Sequence, residues 1–396
     1  MHSFRNTGLI LFLLLSLPVM NVLSQENRKF DPGTFSGSGY LQYMENIWLV
    51  PDSKQWQTMG NINNRLDLRW YKGAFTAHAG GRNMFNYGEM VYRYNPYLAD
   101  MAAEDHGLMD LTFKWADDSS FYFITNIDRL NLNFTWKELE VTAGRQRINW
   151  GLNTIWNPND IFNTFNYFDF DYIERPGCDA VRVQYYTGST SSVQLAWKLN
   201  SDNKTTLAAM YRFSKWNYDF QILGGAMTDN IVVGGGWSGQ IEGAGFTGEF
   251  SYFHPYGGLS DPEPDATFIF STGANYTFPS TLYLHGSLIF NSDGTTNDAG
   301  WGNVFMFGRE MNAMTLTPAR MELFGEAAYQ ITPLIRGDVA GIVNPYDGSA
   351  FAGPSFDFSL TENISLFIIG QLFFGRKNTE YGNYGQMLYG RLKWNF

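Results

Sequence analysis

Apolar and polar residues alternate with a period of two along most of this chain. At the end, Phe396, Trp394 and Leu392 fall on one side, and Asn395, Lys393, Arg391 and Tyr389 on the other. Val193, Leu195, Trp197 and Leu199 alternate with Gln194, Ala196, Lys198 and Asn200. The same holds for Leu207 to Phe213, for Leu282 to Phe290, and upstream for Leu66, Leu68 and Trp70 against Arg65, Asp67, Arg69 and Tyr71. Successive side chains of a strand point to opposite faces, so each run predicts a strand with one greasy and one polar face. Many runs reach about ten residues, the length a tilted strand needs to cross a bilayer; strands of a soluble sandwich are commonly about five or six. Aromatics gather near the run ends, at Trp48, Trp70-Tyr71, Trp115, Trp136, Trp216, Tyr218, Tyr276, Phe278 and Trp394, as interfacial girdles would.

The connections agree. Phe278-Pro279-Ser280, Thr332-Pro333 and Thr361-Glu362-Asn363 are tight turns, and between them lie longer polar stretches near 254–266, 291–313, 343–351 and 376–383. Short turns at one end and long loops at the other are the habit of membrane barrels. The expected fold class is therefore all-β: a transmembrane antiparallel β-barrel of about 16–18 strands, with one in-folded loop. A generous count gives about 19 candidate strands, one too many for an even-numbered barrel. The conflict sits upstream of residue 150, where the stretch 86–106 and the turn at Asp117-Asp118-Ser119 do not both fit.

Composition supports a wall with lipid outside and water inside: aromatics are 17% and charged residues 16% of the 396 residues. Soluble proteins carry roughly 25% charged residues. A net charge of -11 leaves no basic excess for nucleic acid, so no nucleic-acid partner is expected. Residues 1–24 read as a secretory signal peptide. Arg5 precedes an apolar run from Gly8 to Val22, and a cut is placed ahead of Gln25. Residues 25–396 form the single barrel domain.

Between Gly144 and Arg182 the alternation stops. Four arginines (Arg145, Arg147, Arg175, Arg182) and five acids (Asp160, Asp169, Asp171, Glu174, Asp179) lie among dense aromatics. A loop folded into a polar lumen needs that mixture, because rings pack while charges pair in partly desolvated surroundings. The functional expectation is a constriction near 149–178 whose opposed charges set a transverse field. The competing expectation is that the same charges merely pin a plug to the wall.

The pattern GRQ-R-x-x-WG, then W-NP-x-D-x-F-N and ERPG-x-DA-x-R, resembles that of outer-membrane porin-like barrels of Gram-negative bacteria, close to the alginate-export type. The resemblance covers about forty residues. It implies a diffusion channel or exporter in the bacterial outer membrane and transfers no catalytic residue. The terminal Phe396 resembles the signal read by the barrel-assembly machinery. Expected partners are outer-membrane lipid, that machinery and small solutes; porin-type barrels also often form homo-oligomers, although no pattern here marks an interface.

Other chemistry is weakly drawn. Gly234, Gly236 and Gly239 satisfy GxGxxG, but a strand period runs through them, so small residues on an inward face, or at a bend in the barrel wall, explain them better than a nucleotide. His78, His106, His254 and His285 lack paired metal spacing, and no cofactor or metal is expected. Asp261-Pro262-Glu263-Pro264-Asp265 and Ser292-Asp293-Gly294 read as solvated loops. Ser251 and His254 are the nearest approach to a hydrolase pair, and nothing brings them together; no enzyme is expected. The alternatives to a general pore are a dedicated saccharide or polymer transporter and a non-conducting structural barrel.

Overall fold

The structure, a computed structural model, describes residues 33–51, 55–172, 174–201, 204–256, 265–300 and 311–396. The expected signal peptide, Asp261 and Glu263 lie outside the described residues.

The strands are β1 (Thr34–Leu49), β2 (Trp56–Lys72), β3 (Phe75–Tyr87), β4 (Thr112–Asp118), β5 (Phe121–Trp136), β6 (Leu139–Gln146), β7 (Cys178–Gly188), β8 (Ser191–Leu199), β9 (Thr205–Lys215), β10 (Tyr218–Met227), β11 (Asn230–Ile241), β12 (Ala244–Pro255), β13 (Thr267–Thr277), β14 (Tyr283–Asn291), β15 (Met321–Thr332), β16 (Ile335–Val343), β17 (Ala350–Ser359), β18 (Ile364–Phe374) and β19 (Gln386–Asn395). Each pairs antiparallel with its neighbour, and β1 pairs with β19, which closes the sheet. At the seam Phe396 and Gly39 exchange both backbone bonds at 2.9 Å. Closure leaves no strand edge for lipid to meet, the condition for a sheet inside a bilayer.

Eighteen of these strands make the barrel and β4 is the extra one. β3 pairs with β5 along its whole length, while β4 and β6 share the other edge of β5, β4 against Phe121–Asn126 and β6 against Leu130–Trp136. That resolves the upstream conflict. Of the stretch 86–106 only Asn86 and Tyr87, the end of β3, are strand; beyond them lie two short helices, α1 (Glu89–Tyr94) and α2 (Tyr97–Ala102). Their Val91 and Ala99 pack with Tyr122 and Ile124 on the inner face of β5.

The alternation reads out as expected. Leu41, Leu66, Leu132, Leu195, Val233 and Leu392 point outward and are exposed, Val233 by 55%. Gln42, Asn63, Arg65, Glu249, Ser251 and Ser271 point inward and are buried. A water-soluble protein does not expose apolar surface around its whole girth. The tight turns at 278–282, 333–334 and 360–363 lie at one end, and the longer connections 292–320, 344–349 and 375–385 at the other. Trp48 departs from the girdle. It points inward and donates Nε1–H to the Tyr384 carbonyl at 2.6 Å, because the connection 375–385 folds against it.

Candidate functional site

The connection 147–177, between β6 and β7, turns into the lumen. Its first limb runs along one side of the inner wall. Trp150 donates Nε1–H to Gln194 of β8 at 3.1 Å, and its carbonyl accepts Gln221 Nε2 of β10 at 2.6 Å. Next, the fully buried Glu249 of β12 accepts three backbone N–H groups: Leu152 at 2.6 Å, Asn153 at 2.5 Å and Asn159 at 3.0 Å. Ser271 of β13 donates to the Trp156 carbonyl at 2.8 Å. The limb then doubles back, and Asn163 accepts the Ile148 N–H at 2.9 Å.

Gly234 and Gly236 of β11 make room for this limb. A Cβ on Gly234 would sit 2.8 Å from Asn159 Oδ1, and one on Gly236 would sit 2.9 Å from Leu152 Cδ1. The first two glycines of the GxGxxG pattern thus form a recess in the wall that receives the loop, with Glu249 facing it across the β11–β12 pair, while Gly239 makes room for the Tyr218 ring instead.

The second limb crosses to the other side. Tyr167 meets Phe324 of β15 with ring centroids 5.5 Å apart, Phe168 meets Phe351 of β17 at 5.0 Å, and Phe170 meets Tyr389 of β19 at 4.9 Å. Asp171 then accepts Gln42 Nε2 of β1 at 2.5 Å and Asn63 Nδ2 of β2 at 3.3 Å. Tyr172 bonds Asp128 of β5, and Glu174 accepts the Tyr40 hydroxyl at 3.3 Å. Between them the two limbs are tied to β8, β10, β12, β13, β15, β17, β19, β1, β2 and β5. Side chains from this loop therefore meet nearly the whole inner circumference.

The charged residues singled out from the sequence separate into groups. Arg145 and Asp179 are directly opposed across β6 and β7. Arg145 bonds Asp179 at 2.8 Å, Asp105 at 2.6 Å and the Met109 carbonyl at 2.5 Å, with both ends of the ion pairs buried. Asp105 and Met109 belong to the strap 103–111, which spans from β5, through the bond from Ile127 N–H to the Leu111 carbonyl, to a bridge between Gly107 and Asn200 beyond β8. It packs against the ends of β6 and β7 from which the loop departs, through Arg145 and Asp179. Arg182 pairs with Glu140 at 2.7 Å nearer the short-turn end. Asp160 is buried within the first limb, where desolvation raises its carboxyl to about 7 against the pull of the Trp150 N–H and Arg147.

Arg147, Asp169, Asp171, Glu174 and Arg175 are only partly covered or open to the lumen. Burial lowers Arg175 to about 10, with Arg147 beside it adding repulsion. Asp169 is open to the lumen, yet surrounding protein desolvates its carboxyl and raises it to about 6.

Three inward cations complete the site, of which sequence reasoning did not name Arg82. Arg82 lies 3.6 Å over the Tyr172 ring, Arg391 5.0 Å over Phe367 and Lys393 4.0 Å over Tyr40. Among the described residues none of the three has a carboxylate within salt-bridge distance. They sit on β3 and β19, the side of the barrel that Asp171 and Glu174 of the loop also reach. Arg391 and Lys393 were legible as inward-facing. The cation–aromatic seats were not, since they join strands distant in sequence.

Ser251 and His254 fall on opposite faces of β12. Ser251 is buried against Pro158 and Asn159, whereas His254 stacks with Tyr252 on the outside. Among the described residues no group of three or more His, Cys, Asp or Glu is arranged to hold a metal ion.

The fold is that of the large porin-like barrels of Gram-negative outer membranes. It is similar to Acinetobacter baumannii OccAB4, with a TM-score of 0.57 and 7% identity over 92% of this chain and 99% of that one. Pseudomonas aeruginosa OccK5 (OpdH) matches at 0.58 and 8% identity, over 93% of this chain and 98% of that one. The outer membrane protein opdK from Pseudomonas aeruginosa matches at 0.57 and 11% identity, over 92% and 98%. At these identities the likeness is one of fold. No protein-family model and no curated protein matches the chain.

Proposed function

We propose that this protein is a channel of the bacterial outer membrane that passes small hydrophilic solutes passively, without catalysis, and that the loop 147–177 narrows its lumen. The observation that supports this reading best is the anchoring of the loop. A segment tied to the inner wall on nearly every side reduces the passage without occupying it as a detachable plug. Arg147, Asp169, Asp171, Glu174 and Arg175 would line the narrow part, together with Arg82, Arg391 and Lys393. Arg82, Arg391 and Lys393 on the β19–β3 side, facing Asp169, Asp171 and Glu174 of the loop, would set the local field of the passage. In this reading Arg145, Asp179, Asp160 and Arg182 act on the field through the loop and strap they hold. The proposal includes insertion by the barrel-assembly machinery through β19.

Single-channel recording in planar bilayers tests it. Discrete conductance steps support the channel, and a silent, correctly folded barrel refutes it in favour of a scaffold. Neutralising Arg147 and Arg175 together should shift ion selectivity towards cations. Unchanged selectivity with lowered thermal stability would leave only a pinning role. The likeness of the loop motif to alginate-export barrels favours one second reading, a saccharide or polymer pathway. Block of the current by sugars at low concentration would select it.

A further inference from the structure

Away from the charged wall, three segments meet around a pair of carboxyl groups. Glu322, at the long-loop end of β15, and Glu380, in the connection 375–385, are 2% and 1% exposed. Both line one small cavity beside the buried Tyr381. Their partners are neutral: Thr317 donates to Glu322 at 2.9 Å, Tyr381 donates to Glu322 at 3.3 Å, and Asn344 donates to Glu380 at 3.0 Å. A third carboxylate, Asp347, accepts the Glu380 backbone N–H at 2.8 Å. Among the described residues no Lys, Arg or His lies within salt-bridge distance of either glutamate. A cavity of about 20 Å³, water-sized, is lined by both glutamates, Tyr381 and the stretch 165–168 of the in-folded loop.

Among the described residues no cation stands within salt-bridge distance, so losing a carboxyl proton here sets like charges close together in a buried site. The pair also joins three segments on the inner side of the wall. Thr317 brings in the segment 311–319, Glu380 brings in 375–385, and Tyr381 touches Phe168 with ring centroids 6.2 Å apart. We propose that the Glu322–Glu380 pair is a proton-operated clasp that holds the connection 375–385 across the lumen and releases it as pH rises. The idea rests on the channel reading for its consequence, though not for its geometry.

Burial first, and Glu322 next, hold the Glu380 carboxyl well above its ordinary 4.5. Docked, Glu380 keeps its proton to higher pH than undocked. Docking is therefore strongest below about pH 4.5 and weakens as pH climbs towards the raised value.

The test is conductance from about pH 5 to about pH 9, with amide exchange of residues 375–385 in micelles, corrected for intrinsic pH dependence, as a readout that needs no current. The wild type should conduct several-fold more at the alkaline end and lose protection of 375–385 there. E380Q keeps a hydrogen-bonding group without the charge, so it should stay at the acid-level conductance and stay protected throughout. A flat wild-type profile in both readouts, or an E380Q protein that follows the wild type, would overturn the clasp. A barrel silent at every pH sinks the channel reading, and exchange then decides the clasp alone.

Discussion

Glu249 offers the sharpest lever on the loop. Its carboxyl gathers the N–H groups of Leu152, Asn153 and Asn159 in a fully buried recess. E249L strips all three donors of their acceptor. Each buried, orphaned N–H costs about 1–3 kcal/mol, so docking of the first limb loses at least about 3 kcal/mol. With a tenfold change for every 1.4 kcal/mol, the docked-to-undocked ratio falls by about a hundredfold or more. E249Q should be intermediate. Its amide oxygen can still accept Leu152 and Asn153, while its NH2 group faces the Asn159 donor, a loss of about 1–3 kcal/mol. The barrel itself should survive, because backbone pairing of β12 with β11 and β13 does not involve the side chain. The assay is single-channel recording beside a thermal melt of the barrel in detergent. Conductance and open-channel noise should rise in the order wild type, E249Q, E249L, with the melt little changed. An E249L channel with wild-type conductance and noise would refute the claim that this carboxyl holds the constriction in place.

Other consequences follow from the same geometry. R145M leaves Asp105 and Asp179 buried without their cation, a change worth about 3–5 kcal/mol, so the strap 103–111 should become a protease target while the wild-type strap resists. Changing Asp105 and Asp179 to Asn in the same protein should restore much of that resistance. G234V drives a side chain into Asn159 and Ser251; overpacking of about 1–3 kcal/mol should displace the first limb and raise conductance without unfolding the wall. R82Q combined with R391Q removes two cations seated on aromatic rings, and the reversal potential in a salt gradient should move towards cation selectivity. That shift should shrink as salt shortens the screening length.

The wall was readable because lipid outside and water inside impose a strict period of two on every strand, and a chain that breaks it exposes a polar group to lipid. The stretch 86–106 defeated the same reading. α1 and α2 sit inside the rim, where Val91 and Ala99 need only touch Tyr122 and Ile124, and two short helices leave no sustained period. β4 defeated it differently: it alternates like a wall strand, yet shares an edge of β5 that β6 already uses. Sequence alternation reports which face a residue takes. It does not report which edge is vacant.

The loop poses the harder case, and its anchors explain why. Arg145 and Asp179 stood out as charges, but their opposition depends on the register of β6 against β7, which a long excursion through the lumen separates. The Glu249 donors lie 90 to 97 residues away along the chain, so no local pattern could show them. One signal was nevertheless available. Once β11 and β12 are aligned as a hairpin, Gly236 falls beside Glu249 and Gly234 beside Ser251 on the inward face. Two missing side chains next to a lone acid describe a hollow with an acceptor at its floor, and a barrel keeps such a hollow only where something folds into it. The loop that fills it is aromatic and rich in amides because it must satisfy both a packed wall and a wet lumen. The same arrangement makes the hollow a test of the channel reading: filling Gly234 and removing the Glu249 acceptor should widen the passage by different physical routes. Since both changes act on the same limb, the double variant should conduct no more than the larger single effect.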